Sequence, residues 1–566
     1  MVDILTDTGV FLDLDPDAEF ELTIENPLLQ EDRIPVPFST AIAFLPTPTN
    51  KSAFGYLDTM MLEPRVKRLG ASILVGGVQL YAGSLEYDSI DESGRINYTF
   101  SGKDLKTEWG AKIWETPGLT WPDYEYGALL AALKADQIPG VHLPPVVDRA
   151  LVGTPGFRTT PSGYRPGNQV NYNQKYRNQP DALSFSEIVP AVEIGRILGS
   201  VVSFQDISDA GAFLQQAVVF GTNWSAGYPE TRAQYYDYDV AKTLPDVTLA
   251  DLFLDICRMF CAAVFQDGAS FRMMPAADVL DASSPLDWDA KVSNTFRSSR
   301  EEKTGYELDF EQDTSTSEQN SDIVDESKSV ATLAGVFGKA EDDYDAVKHT
   351  GLEDLYSLKN ADPVKINKEG SRPGTVEPIG IAEEVLIDRC DRTGAKQEAE
   401  GTEETKTVSI GLHLAKCAPV RRYWLQTTNV RTLESDIRMA AILPLPAYGA
   451  ERPTDVYIAL YGNGQACDKG VVIADPDSAE SADQTIGASL APAELFDRYH
   501  QAYAAWLAKD RQLLSVDLNL SVMELAAFRM WQAVRVRSRN FLVSKLSVRV
   551  SAAANGVDVS ADLISL

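Results

Sequence analysis

Strict alternation of apolar and polar positions is the strongest pattern in the chain, and it gathers near the two ends. Glu19 to Ile24 alternates as a half-buried strand does, and Asn26-Pro27 stops it. Pro35, Pro37, Pro46 and Pro48 then punctuate an extended segment, Phe38 to Leu45, that must avoid central sheet positions. Residues 71–87 read as two strands folded at Gly76-Gly77, a pair suited to a primed hairpin turn. A further turn at Asp91-Glu92-Ser93-Gly94 returns the chain through Ile96, Tyr98 and Phe100. Three consecutive antiparallel strands with tight turns predict part of a small barrel or sandwich. At the other end, Ala493 to Lys509 is a helix with Leu495, Phe496, Tyr499, Ala502, Tyr503 and Trp506 on one face. Leu514 to Leu520 alternates, a short helical turn covers Met523–Phe528, and three more alternating runs reach Val550. Asn555-Gly556 predicts a last hairpin turn, with Val557, Val559 and Leu563 returning from it.

Between these ends the period changes. Residues 102–185 scatter Trp109, Trp114, Trp121, Tyr124, Tyr126, Tyr164, Tyr172 and Tyr176 among Pro, Gly and Asn, with a short helix over Tyr126 to Lys134. Such aromatics either pin the insertion to its own domain or pack it on a neighbour. Ser186 caps a predicted helix with the stripe Ile194, Ile197, Leu198 and Val201. Thr248, with Asp251 three residues on, caps a second helix whose apolar face is Leu249, Leu252, Phe253, Ile256, Met259 and Phe260. A hairpin turning at Asp267-Gly268 follows directly. Asp309 to Ser327, Asn360 to Gly374 and Gly394 to Lys406 are polar stretches that read as loops or linkers. Strands near Thr407–Leu414 and Asp455–Leu460 imply another β unit.

The expected organisation is therefore multi-domain, α+β and β-rich. It comprises an N-terminal barrel-like module over 1–105, an aromatic-rich insertion over 106–185 and two helix–hairpin modules over 186–297. An acidic linker region over 298–406, a β unit over 407–490 and a C-terminal helix with antiparallel sheet over 491–566 complete it. A length of 566 residues suits several cores.

Charge narrows the functions. With 82 acidic against 51 basic residues, the formal net charge is −31. Such a chain repels phosphate backbones at long range, which argues against wrapping nucleic acid; an acidic surface also simply aids solubility. The five cysteines, Cys257, Cys261, Cys390, Cys417 and Cys467, are odd in number and thinly spread, unlike a disulfide framework. Neither a signal peptide nor an apolar run long enough to span a bilayer is apparent, so the reading is a soluble protein made in a cytoplasm.

The search for chemistry finds little. His142, His349, His413 and His500 are far apart, and His500 reads as a surface or satisfied histidine. Cys257 and Cys261 share a helix face without a second ligand pair, so core packing is the better reading. Asp13–Asp17 and Asp475-Pro-Asp477 lack the glycine and distal glutamate of a calcium loop. Tyr461-Gly-Asn-Gly464 has neither a third glycine nor a phosphate-binding lysine. No catalytic residue, cofactor-binding residue or metal ligand is assigned, and the chain is read as no enzyme.

In layout the chain resembles the tail hub, or baseplate hub, proteins of tailed bacteriophages and related contractile injection machines. The strand–Gly-Gly–strand run 71–87, with Leu80-Tyr81-Ala82-Gly83-Ser84-Leu85, has the shape of a hub barrel hairpin. Leu183 to Ile188 with its helix, and Leu244 to Phe253 with the Asp267-Gly268 hairpin, look like modules of tail proteins from phages of the Bacteroidetes. Arg539 to Ile564 resembles the terminal sheet of such hubs. The resemblance implies small antiparallel β-barrel modules and a homotrimeric virion structural protein at the tail tip, involved in host cell attachment and genome ejection. Implied partners are the tail tube or distal tail protein, the tape-measure protein, and a spike or fibre. DNA would only pass through the lumen, where negative charge would not grip it. Two rival readings are a tail-associated cell-wall or glycan hydrolase and a receptor- or glycan-binding tip protein using the aromatic insertion.

Overall fold

The computed structural model describes residues 2–30, 36–55, 66–92, 94–102, 106, 109–125, 137–148, 157–160, 163–166, 169–170, 189–199, 213–221, 235–267, 270–310, 356–357, 381–385, 387–388, 395–428, 430–444, 452–468, 470–472, 484–485, 489–552 and 556–566. Its dominant feature is a 14-stranded sheet built from both ends of the chain.

The N-terminal half of this sheet curls on itself. Val2–Thr6 pairs with Arg68–Val75, which turns into Val78–Ile90 with Val75 opposite Val78. The two residues left at the turn, Gly76 and Gly77, have φ of 59° and 80°, the left-handed pair that a twisted two-residue hairpin requires. Ile96–Gly102 follows beyond the Asp91–Arg95 turn, where the Arg95 amide donates to the Asp91 carboxylate. Ile42–Phe44 lies against Ile96–Gly102 and approaches the start of the sheet through one bridge, Leu14 opposite Phe44, with Asp15 N donating to Ala43 O and Leu45 N to Asp13 O. Inside the curl Ile4, Phe44, Phe54, Ile73, Leu85 and Tyr98 are fully buried, and Phe54 stacks on Tyr98 at 4.3 Å.

The C-terminal half is a second curl. Arg539–Ser551, Gly556–Ser565, Arg511–Leu518 and Val292–Glu301 pair in that order. Val534–Val536 folds back on Arg539–Ser551 and takes Leu286–Asp287 as a parallel neighbour. Among the described residues none of the sheets closes into a barrel, which corrects the barrel form of the barrel or sandwich modules expected at the two ends. The N-terminal curl meets itself at a single bridge. The C-terminal curl stops at Val292–Glu301, with which, among the described residues, only Arg511–Leu518 pairs.

The halves are joined by Glu19–Glu25 against Arg539–Ser551, seven residue pairs from Glu19 opposite Ser551 to Glu25 opposite Lys545. Phe20, Leu22 and Ile24 bury one face of this seam together with Val548 and Val550. Asn26, fully buried, locks its end: Nδ2 donates to the carbonyls of Met530 and Val543, both at 2.9 Å, and Oδ1 accepts from Leu28 N. The sequence reading of Asn26 as a strand stop misses this, because the partners lie more than 500 positions away.

The middle of the chain supplies smaller sheets. Ala191–Glu193 pairs with Val141–His142 and Ala217–Phe220, and this sheet continues into Val456–Gly462. The long helix expected from Ser186 is therefore wrong where it can be compared: Ala191–Glu193 is strand, the helix is only Ile194–Leu198, and Ser186 lies outside the described residues. Lys416–Thr428 and Val430–Leu443 form a long hairpin that carries no simple alternation. In the acidic stretch 298–406, Gly305–Phe310 is a strand parallel to Thr405–Ile410, not a linker. Tyr306, Leu308 and Phe310 point into the core, and the intervening Glu307 and Asp309 give the segment its acidic look.

The helix Leu249–Met259 forms as its pattern predicts. Thr248 Oγ1 accepts from Asp251 N at 3.0 Å, and Leu252, Phe253, Ile256 and Met259 are buried. Its hairpin pairs Ala262–Asp267 with Ser270–Pro275, with Asp267 opposite Ser270 at the end of the ladder, and Gly268 lies outside the described residues. The C-terminal helix runs through Pro492–Leu495, a π turn at Phe496–His500 and Gln501–Leu507. The wider π turn rotates the apolar face, so His500, Ala504 and Leu507 are buried while Ala502 is exposed.

Two substitutions test this account. Asn26→Ala leaves two buried carbonyls without their donor and should cost about 2–4 kcal/mol in urea unfolding. Ser538, at φ 64° in the Arg537-Ser538 turn, holds a conformation that costs a side chain about 1–2 kcal/mol. Ser538→Gly should therefore stabilise by about 0.5–1 kcal/mol after the unfolded-state entropy of glycine is offset; a lowered melting temperature would contradict this.

Candidate functional site

The groups that carry chemistry in the sequence do not converge. His142 Nε2 lies 3.1 Å from Glu193 Oε1, and its ring stacks on Tyr461 at 3.9 Å. His413 is buried against Tyr457, and His349 lies outside the described residues. Cys257, Cys261, Cys417 and Cys467 are buried free thiols, while Cys390 is outside the described residues. Desolvation pushes the Cys261 thiol up to about 12, away from thiolate chemistry. Among the described residues no group of three His, Cys, Asp or Glu side chains could hold a metal ion. Asp13–Asp17 is a turn: Asp17 N donates to Asp15 Oδ1, and Arg95 pairs with Asp15 at 2.6 Å. Asp475 and Asp477 lie outside the described residues. Asn463-Gly464 is a hairpin turn with φ of 48° and 72°, which accounts for the glycines of Tyr461-Gly-Asn-Gly464.

One polar cluster does form, where the π turn of the C-terminal helix meets the Leu249–Met259 helix and the Gly305–Phe310 strand. His500 is fully buried, its Nε2 3.0 Å from Met259 O and its Nδ1 2.7 Å from the Tyr306 hydroxyl. Nε2 therefore carries the proton and Nδ1 accepts from Tyr306. Burial pushes the imidazole down to about 4, so it is neutral. Beside it Lys406 Nζ donates to the Tyr503 hydroxyl at 3.0 Å, and that hydroxyl donates to Leu28 O. Burial also draws Lys406 down to about 8. A cavity of about 440 Å³ adjoins the cluster, lined by Cys261, Tyr306, Lys406, Ser409 and Tyr503 among others. With both ring nitrogens engaged by protein atoms, His500 braces three segments and has no free position for a substrate. Sequence reading names His500 but misses Tyr306 and Lys406. The alternation of Tyr306, Leu308 and Phe310 is the signal that marks Tyr306 as buried.

The described part of the aromatic insertion turns toward its own chain. Trp109 is buried edge-on to Phe253, and Trp114 Nε1 donates to Asp246 at 2.9 Å beneath the Arg452 guanidinium. Tyr126, Tyr172 and Tyr176 lie outside the described residues.

The outer surface of the main sheet is chemically uneven. Val292–Glu301 is the last strand of its path, and residues 295–300 are exposed on both faces. Phe296 is 47% exposed there and carries the Arg537 guanidinium 3.9 Å from its ring. At the other end Phe11 is 57% exposed.

The His500 brace has a pH signature. Its folded pKa lies below the unfolded value near 6.5, so the stability it contributes is complete above pH 6.5 and declines as pH falls toward 4. The wild-type advantage over His500→Gln should shrink by roughly 3 kcal/mol between pH 7 and pH 4. A pH-independent difference in denaturant unfolding would refute the neutral assignment.

No protein-family model matches the chain, and no curated protein matches it. Among solved structures the chain is similar to the 43 kDa tail protein of prophage MuSo2 from Shewanella oneidensis, with a TM-score of 0.34 at 7% identity, covering 100% of this chain and 98% of that one. It is also similar to the tail protein from Neisseria meningitidis MC58, with a TM-score of 0.31 at 8% identity, covering 100% and 96%. A chain of the Francisella PdpA-VgrG complex aligns with a TM-score of 0.28 at 6% identity, covering 100% of this chain and 57% of that one. TM-scores of this size leave the likeness at the level of coarse shape.

Proposed function

We propose that this chain is a structural protein of a bacteriophage tail, a hub joining the tail tube to the tip. The observation that carries the reading is the fusion of two curled antiparallel units, side by side, in one 14-stranded sheet. A chain that presents two such units can place six of them around an axis as three copies, matching a sixfold tube to a threefold tip. The polar cluster at His500 supports the same reading, since both ring nitrogens are spent on bracing three segments of the chain. Partners in this reading are the tube or distal tail protein above, the tape-measure protein inside, and a spike or fibre below. DNA passes through a lumen that a chain of net charge −31 can line without holding a polyanion. No helix among the described residues is long and apolar enough to cross a membrane.

The expected result is a particle of three chains by light scattering, and density for three copies at the tail tip by imaging of whole virions. A monomer at all concentrations, absent from virions, would overturn the proposal.

A further inference from the structure

The two ends of the main sheet path carry opposite charge. Residues 1–30 contain Asp and Glu but no Lys or Arg; Asp7, Asp13 and Asp17 are exposed within six residues of the exposed Phe11, and Arg95 reaches in from a neighbouring turn to pair with Asp15. Asp13 is fixed there by the Thr47 hydroxyl, so this surface is ordered. The other end is basic although the chain as a whole is strongly acidic: residues 511–566 hold more Arg and Lys than Asp and Glu. Arg297 lies exposed on the outermost strand, Arg537 covers Phe296 and Arg539 is exposed where it bonds Gln512, while Asp510 and Asp287 answer Arg300 and Arg535.

Strand 295–300 is wet on both faces, and among the described residues no strand pairs with its outer edge. A long strand left this way invites pairing, and soluble chains usually cover or break it. An aromatic within a basic rim at one end and an aromatic within an acidic rim at the other are complementary in chemistry. They are different surfaces, so a contact between them is head-to-tail and closes into a ring when the rotation permits.

We infer that the basic outer strand Val292–Glu301 of one copy docks on the acidic surface around Phe11 of a second copy. The inference rests on the ring reading above and names the surfaces through which the ring closes. Attraction between opposite rims falls within a Debye length of about 8 Å at physiological salt, so assembly weakens as salt rises.

Two charge-reversed proteins test it, one carrying Arg297→Glu with Arg537→Glu, the other Asp7→Lys with Asp17→Lys. Each alone should sediment as a monomer at concentrations where the wild type assembles, with at least a tenfold weaker association and an unchanged far-ultraviolet spectrum. Mixed in equal amounts they should form 1:1 complexes through the restored charge contacts, without closing a ring of three, since an odd ring cannot alternate two variants. If either variant failed to fold, hydrogen exchange on the wild type would decide: amides 295–300 should exchange more slowly in concentrated than in dilute protein. Variants that assemble as the wild type does, or amides that exchange alike, would overturn the docking surface while leaving a ring intact. A monomeric wild type would overturn both readings. Rings that form through these surfaces but are absent from virions would overturn only the tail function.

Discussion

The pairing of Glu19–Glu25 with Arg539–Ser551 is the constraint on which the rest of the molecule depends. It joins the two ends of the chain along a shared apolar face, and every other element must then loop out and return between fixed points. Asn26 closes the seam by answering two carbonyls of the C-terminal half and one amide of its own turn. A buried amide satisfied this way costs little in place and much to remove, which makes the relation of the two curls rigid.

The buried cluster at His500 repeats this logic on the far side of the C-terminal half. Two helices and a strand contribute one polar group each, and the π turn exists at the point where the imidazole must reach both Met259 and Tyr306. Trp506 Nε1 donates to Ser565 O, and Arg511 covers the Trp506 ring while bonding Glu301. The last strands are thereby tied to the helix above them. Groups that look catalytic in composition are used here to fix geometry.

Charge has a spatial meaning that the bulk value hides. The net −31 is unevenly distributed: the N-terminal surface is acidic, and the surface near Arg297 and Arg537 is basic. Exposed pairs such as Arg549–Glu19 and Arg68–Glu86 add little stability each. Their sign pattern bears on association between chains more than on the fold.

Local chemistry determined much of this protein. The Gly76-Gly77 hairpin, the Thr248-capped helix and the alternating C-terminal strands follow from residues within a few positions of one another, because turns, caps and strand faces are short-range choices. Gly305–Phe310 was hidden by the charge of its outward positions, and the Ile194 helix was cut short because Ala191–Glu193 found strand partners from distant sequence. The partners of Asn26, Tyr306 and Lys406 have no local mark, since each lies far away in sequence. Closure was decided only in three dimensions, since it depends on how far each curled sheet twists before its first and last strands meet. The hydrophobic period sets which face is buried and carries no information about which distant strand will lie beside it.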